Sequence, residues 1–93
     1  MSAAIDPRSR FALSRGYRLQ WEDAQNAYVL LFPEGLIKLN VSAAEILKRC
    51  DGQSSLIDIT AGLESAFSRS GLAADVEAFV ARALEAQWLC LQP

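Results

Sequence analysis

Few side chains of this 93-residue chain could carry out chemistry, and their types and spacing form no known catalytic or metal-binding motif. The sequence contains no histidine, which is the commonest general base and the commonest metal ligand. Its two cysteines, Cys50 and Cys90, lie far apart, whereas a zinc site normally takes four close Cys or His ligands. Cys50 follows an apolar stripe at helical spacing and Cys90 lies between Leu89 and Leu91, so we expect each to be a small, reduced hydrophobic residue of the core.

The carboxylates and glycines also lack the spacing of a catalytic site. Glu22 with Asp23, and Asp75 with Glu77, are paired acidic residues, but both pairs fall where polar surface is expected. The five glycines match neither a G-x-G-x-x-G motif nor a P-loop, and no serine lies in a G-x-S-x-G motif. A chain of this length is too short to form a cleft with its own supporting residues. We therefore expect no enzyme activity, no catalytic residue, no metal and no cofactor.

Three strands are predicted in the first half of the chain. Residues 17–22 alternate apolar and polar side chains, which predicts a half-buried strand with Trp21 facing the core. Residues 28–32 are apolar on both faces and indicate a central strand. A turn over residues 33–35, Pro-Glu-Gly, leads to a third strand over residues 36–41.

Three helices are predicted in the second half. The first begins at a capping-box sequence, Ser42 with Glu45, and ends at Gly52. The second begins at Ser55 and the third at Asp75, and each carries an apolar stripe at helical spacing.

The order of strands followed by helices predicts an α+β fold. We expect a three-stranded antiparallel sheet followed by a three-helix cluster, with a winged-helix-like arrangement, in a single domain over residues 15–93. Residues 88–91 form either a last helical turn or a short final strand. Residues 1–14 lack a regular period and are expected to form a flexible N-terminal arm. No apolar run approaches the ~20 residues that span a bilayer, and no signal-peptide pattern is present, so we expect a cytoplasmic protein.

A combination of short motifs in the middle of the chain resembles the family of pyrroloquinoline quinone biosynthesis protein D. The motifs are Leu-Leu-Phe-Pro-Glu-Gly over residues 30–35, Leu39-Asn40, Ser42-Ala43, Ile46-Leu47 and Cys50-Asp51-Gly52. The resemblance extends over residues 15–90. Gln87 departs from it, because a glycine is expected there at the end of the third helix.

The resemblance implies a peptide chaperone. Members of the family bind the ribosomal precursor peptide, PqqA, and present it to a radical S-adenosylmethionine enzyme, PqqE. In the wider class of precursor-peptide recognition elements, the peptide adds as a strand beside the third strand and packs against the third helix. An edge strand offers the unpaired backbone groups that such a peptide can complete. The implied peptide-binding residues are Leu36, Ile37, Lys38, Leu39, Asn40, Asp75, Val76, Phe79 and Val80.

Several of these residues also have a purely structural interpretation. In the peptide-binding interpretation, Lys38 pairs with an acidic peptide side chain, while Val76, Phe79 and Val80 line an apolar groove. However, a stripe of this kind is equally typical of core packing. Lys38 is equally typical of a solvated charge that protects an edge strand from aggregation.

Two alternative functions stay open on the sequence alone. A winged-helix DNA-binding protein would use a basic recognition helix, but residues 55–87 carry two arginines against five carboxylates. Residues 1–20, with four arginines against one aspartate, could still contact phosphates. The other alternative is a structural subunit that has no affinity for the precursor peptide.

Overall fold

The computed structural model describes residues 5–92, which fold into six strands and three helices. Residues 1–4 of the expected arm and Pro93 lie outside the described residues. The elements in chain order are β1 (Arg10–Leu13), β2 (Arg18–Glu22), β3 (Ala27–Phe32), β4 (Gly35–Lys38), α1 (Val41–Lys48), β5 (Asp51–Ser55), α2 (Leu56–Phe67), α3 (Ala73–Glu85) and β6 (Leu89–Gln92). The expected α+β class and the three predicted helices are confirmed.

The first sheet is the predicted antiparallel meander, in the order β2-β3-β4. Val29 and Leu30 of β3 have no exposed surface, as expected of a central strand covered on both faces. Trp21, which the alternation placed toward the core, is instead 46% exposed. Its indole N–H donates a hydrogen bond to the exposed carboxylate of Asp23 at 2.8 Å, which keeps the ring at the surface.

A second sheet, in the order β5-β1-β6, joins strands from three distant parts of the chain. Its central strand is β1, in which Arg10 pairs with Ser55 of β5 on one side and with Gln92 of β6 on the other. All pairs are antiparallel. The final apolar residues of the chain therefore form a strand rather than a last helical turn.

Strands β1 and β5 correct two of the expectations. Residues 10–13, assigned to a flexible arm over residues 1–14, form the middle of the second sheet, and Phe11 is fully buried. A strand of four residues is too short for its alternation to stand out in the sequence. Residues 51–55, expected only as the link between two helices, form β5.

Helix α1 begins with an N-cap that differs from the expected one. The side-chain oxygen of Asn40 accepts a hydrogen bond from the backbone N–H of Ala43 at 2.8 Å. The predicted capping box of Ser42 with Glu45 is therefore wrong, because Ser42 already lies inside the helix. Asn40, two residues after the end of β4, is thus the residue at which α1 starts.

Helices α2 and α3 begin near their predicted positions. The capping box of α2 is confirmed: Asp58 N–H donates to Ser55 Oγ, and Ser55 N–H donates to Asp58 Oδ2, each at 3.1 Å. Helix α3 begins two residues before the expected start at Asp75. Beyond its end Gln87 has a φ of +66°, the left-handed conformation for which a glycine was expected.

One hydrophobic core connects both sheets with all three helices. Its largest fully buried members come from β1, β3, α1, α2 and α3, namely Phe11, Leu30, Leu47, Ile59, Val76 and Val80. Burying each such side chain stabilises the fold by roughly 1.5–3 kcal/mol. Among residues 5–92, no helix has the length and apolar character needed to cross a membrane.

Candidate functional site

Strand β4 lies at one end of the first sheet and pairs, among residues 5–92, only with β3. The backbone N–H of Leu39, just past β4, donates to the C=O of Tyr28 at 3.0 Å. Because backbone groups alternate along an antiparallel strand, those of Ile37 also point toward β3, while those of Leu36 and Lys38 point away. The open edge therefore presents two N–H donors and two C=O acceptors to an incoming strand.

The side chains of this strand divide between the two faces of the sheet. Leu36, which is 50% exposed, and Lys38 lie on the outer face. Ile37 is half-buried and Leu39 is buried, and both pack against the hydrophobic core. A strand added at this edge would place alternate side chains beside Leu36 and Lys38, and the others on the core side.

A groove of about 450 Å³ opens between the start of α1, the end of α2 and the surface of α3, and Asn40, two residues after β4, is part of its lining. We call it the α1–α3 groove. Its buried lining is apolar and includes Ala43, Ile46, Leu63 and Leu72, with the half-buried rings of Phe67 and Phe79. Its exposed polar lining comprises Asn40, Ser42, Arg69, Asp75 and Arg82. The groove therefore combines an apolar floor with a charged rim.

The structure brings some of the predicted site residues together and separates others. Three of the nine line the α1–α3 groove: Asn40, Asp75 and Phe79. Residues 36–39 lie in or directly after β4, the strand that leads to it. Val76 and Val80 have no exposed surface and belong to the core, so the expectation that their side chains line a groove is not met.

Two of the groove residues are held in place by their neighbours. The ring of Phe79 packs edge to face against Trp88, with the ring centroids 6.5 Å apart. The side-chain oxygen of Asn40 accepts from Ser42 Oγ at 3.2 Å as well as from the helix N-terminus. Both side chains are therefore fixed parts of the groove wall.

The sequence reasoning missed Arg69 and Arg82, which contribute positive charge to the groove. One signal could have found Arg82: Asp75, Phe79 and Arg82 are spaced i, i+4, i+7, which places them on one face of α3. Arg69 gives no such signal, because it follows α2 and reaches the groove only through helix packing.

A second cluster of side chains lies beside α1. Trp21 packs edge to face on Tyr28 with centroids 5.2 Å apart, and Lys48 Nζ lies 4.4 Å from the centroid of Tyr28. Glu45 accepts hydrogen bonds from Lys48 Nζ at 2.8 Å and from Arg49 at 2.9 Å. These bonds, first from Lys48 and then from Arg49, hold the pKa of the Glu45 carboxyl below its ordinary value. Lys48 and Arg49 are thus both ion-paired with Glu45.

The two thiols differ in their surroundings. Cys50 is buried and donates to the C=O of Ile46 at 3.3 Å, and burial raises its pKa to about 12, so it stays protonated at neutral pH. Cys90, expected in the core, is exposed, because the alternation of β6 turns Leu89 inward instead. Within residues 5–92, no three His, Cys, Asp or Glu side chains are grouped closely enough to bind a metal.

The helical surface is acidic. Helix α2 carries Asp58 and Glu64 without a basic residue, and α3 carries three carboxylates against Arg82. Non-specific DNA binding depends on basic side chains that neutralise phosphates. The charge of these helices therefore disfavours the DNA-binding alternative.

Comparisons with known proteins give results consistent with the resemblance. The model of the family described as Coenzyme PQQ synthesis protein D (PqqD) matches residues 27–89, from β3 to the first residue of β6. A PqqA binding protein of Acinetobacter baylyi is 49% identical over 80 residues, which cover 85% of this chain and 81% of that relative. A PqqA binding protein of Azotobacter vinelandii is 50% identical over 78 residues, which cover 83% and 85%.

A solved structure is similar in both fold and sequence. It is the solution NMR structure of the PqqD truncation of Methylobacterium extorquens PqqCD, a stand-alone recognition element for ribosomally synthesised and post-translationally modified peptides. The TM-score is 0.67 at 28% sequence identity, and the match covers 86% of this chain and 87% of that one. The fold and the sequence matches thus lead to the same group of proteins.

Proposed function

Since the chain belongs to the coenzyme PQQ synthesis protein D (PqqD) family, we propose that it binds the precursor peptide PqqA as a non-catalytic chaperone. Two relatives that are called PqqA binding proteins share about half of their aligned residues with it. The observation that carries the proposed binding mode is the open edge of β4, next to the α1–α3 groove.

In this proposal PqqA adds as an extended strand beside β4. Its backbone pairs with the outward N–H and C=O groups of Leu36 and Lys38, and side chains on its core-facing side enter the groove near Phe79. Four such hydrogen bonds contribute roughly 2–6 kcal/mol in total. A micromolar complex needs about 8 kcal/mol, so apolar burial in the groove has to supply the rest.

The proposal includes a partner and a location. The bound peptide would be presented to the radical S-adenosylmethionine enzyme PqqE, which supplies the cross-linking chemistry. The protein would act in the cytoplasm, which its two free cysteines support. The recognition domain would include β1 and so begin before residue 15, because Phe11 is part of the core.

Isothermal titration calorimetry with synthetic PqqA tests the proposal. We expect saturable binding with a Kd on the order of tens of micromolar or tighter. A peptide of the same composition in scrambled order is the control and should bind much more weakly. Absence of binding by PqqA itself at these concentrations would overturn the proposal and favour a structural subunit.

A pair of substitutions at one position tests the docking strand. Lys38→Pro removes an outward N–H that makes no bond within the sheet, whereas Lys38→Ala keeps that N–H. Relative to Lys38→Ala, we expect Lys38→Pro to weaken PqqA binding about tenfold, the equivalent of one hydrogen bond. Leu39→Pro is unsuitable, because the N–H of Leu39 bonds to Tyr28 inside the sheet. Equal affinities of the two variants, with unchanged circular dichroism, would exclude docking at β4.

A further inference from the structure

The basic side chains of residues 21–93 fall into two groups, those that form ion pairs and those that do not. Residues 21–93 carry five basic and ten acidic side chains. Lys48 and Arg49 are paired with Glu45, at 2.8 and 2.9 Å. The other three, Lys38, Arg69 and Arg82, form no ion pair with any of residues 5–92.

These three unpaired charges all lie on the candidate functional site, that is, on β4 or on the α1–α3 groove. Lys38 is exposed on the outer face of β4, and Arg69 and Arg82 are exposed on the rim of the α1–α3 groove. Within residues 21–93, the basic side chains that form no ion pair with the described residues thus lie on β4 and on the rim of the α1–α3 groove. Arg10, Arg15 and Arg18, which form none either, precede that range. Charge complementarity across an interface mainly contributes specificity and rate of association.

We propose that Lys38, Arg69 and Arg82 are specificity-determining residues that select an acidic segment of the bound peptide. This inference rests on the proposed function and names the chemistry that the site recognises. The occupant is an extended peptide with an apolar side chain over Phe79 and a carboxylate within reach of the two arginines. Asp75 lies in the same groove and repels a carboxylate, so the acidic side chain is directed to the arginines.

The alternation of a strand gives this preference a definite sequence pattern. Side chains two residues apart lie on the same face, roughly 6.6 Å from each other. A carboxylate that reaches Arg69 or Arg82 is therefore an even number of residues from the apolar side chain over Phe79. A carboxylate that pairs with Lys38 lies on the opposite face, and so an odd number of residues away from that apolar side chain.

Charge-neutral variants of the three residues test the inference from the protein side. We expect Lys38→Gln, Arg69→Gln and Arg82→Gln each to weaken binding of synthetic PqqA roughly two- to fivefold, as for exposed ion pairs. The triple variant should lose about tenfold to a hundredfold, and most of the salt dependence of the wild-type affinity should disappear with it. Arg10→Gln is the matched control, because Arg10 is also exposed but lies in the second sheet.

Peptide variants complete the test. Each carboxylate of PqqA is replaced in turn by the corresponding amide, and affinity is measured against the wild-type protein and the three single variants. A carboxylate read by Arg82 should matter for the wild type but not for Arg82→Gln. If the folded triple variant binds PqqA as tightly as the wild type, the inference is overturned while peptide binding itself stands. If the wild type does not bind PqqA, the proposed function fails and the inference fails with it.

Discussion

The two sheets of this protein contain the same number of strands but are built over very different sequence distances. The first takes its strands in sequence order from residues 18–38 and closes with two short turns. The second combines residues 10–13, 51–55 and 89–92, which come from both ends and the middle of the chain. Forming the second sheet orders almost the whole chain, at a larger cost in loop entropy.

The two sheets therefore have different roles: the second connects distant parts of the chain, and the first leaves a strand edge exposed. The second sheet holds the two ends of the domain together around Phe11. The first sheet keeps one long side of β4 unpaired among residues 5–92, next to the α1–α3 groove. We therefore expect substitutions in the second sheet to change the free energy of unfolding, and substitutions along the β4 edge to change peptide affinity.

The largest expected effect is at the centre of the second sheet. Phe11→Ala should lower the free energy of unfolding by about 3–5 kcal/mol, because the fully buried ring leaves a cavity. Leu36→Ala on the β4 edge should change it by no more than about 0.5 kcal/mol, since Leu36 is half exposed. Urea denaturation measures both. If Phe11→Ala fails to fold, the milder Phe11→Leu should still cost more than Leu36→Ala, and equal losses would contradict the division between the sheets.

The next largest expected effect on the free energy of unfolding concerns Cys50, which directly precedes β5 of the second sheet. The folded state keeps this thiol protonated up to a pKa of about 12, while the unfolded chain releases the proton from about pH 9.0. The folded state binds more protons above pH 9, so stability is lost as pH rises. We expect Cys50 to account for about 1.4 kcal/mol of loss between pH 8 and pH 10. Cys50→Ala should lack this part of the slope in urea denaturation, and an identical slope would refute the assignment.

Alanine substitutions at two helix N-caps, one at or just after a strand of each sheet, allow a matched comparison of stability and peptide binding. Asn40 caps α1 two residues after the end of β4, and Ser55, the last residue of β5, caps α2. Replacing either with Ala should lower the free energy of unfolding by about 1 kcal/mol. Only Asn40→Ala should also weaken PqqA binding, because Asn40 lines the groove. Equal binding by both variants in calorimetry would remove Asn40 from the site.

The smallest expected effect is an increase in the free energy of unfolding. Gln87, between α3 and β6, has a φ of +66°, a conformation that costs less for glycine than for other residues. Gln87→Gly should therefore raise the free energy of unfolding by about 0.5–1 kcal/mol and leave peptide binding unchanged. Thermal unfolding followed by circular dichroism measures the gain, and a lower melting temperature would contradict it.

The parts that the sequence predicted are the local ones. The first sheet follows from alternation in residues 17–22 and a fully apolar strand at residues 28–32, and the cap of α2 follows from Ser55 and Asp58. Each of these signals involves residues within a few positions of each other. The left-handed position at Gln87 was expected from the family resemblance, which places a glycine at the end of the third helix.

The parts that the sequence did not predict depend on contacts between distant residues. Strand β5 reads Asp-Gly-Gln-Ser-Ser and has no apolar alternation, so only its pairing with β1 makes it a strand. Along α3, the rotation of the helix decides that Val76 and Val80 face the core while Phe79 reaches the groove. The place of Arg69 on the groove rim depends in the same way on how α2 packs against α3.

Amide hydrogen exchange, measured by NMR with and without PqqA, tests the docking of the peptide on β4 most directly. The N–H of Leu39 is already bonded to Tyr28, whereas those of Leu36 and Lys38 point to the open edge. We expect saturating PqqA to slow exchange at Leu36 and Lys38 strongly. Unchanged exchange at both positions in a protein that binds PqqA, or new protection only in the second sheet, would contradict docking at this edge.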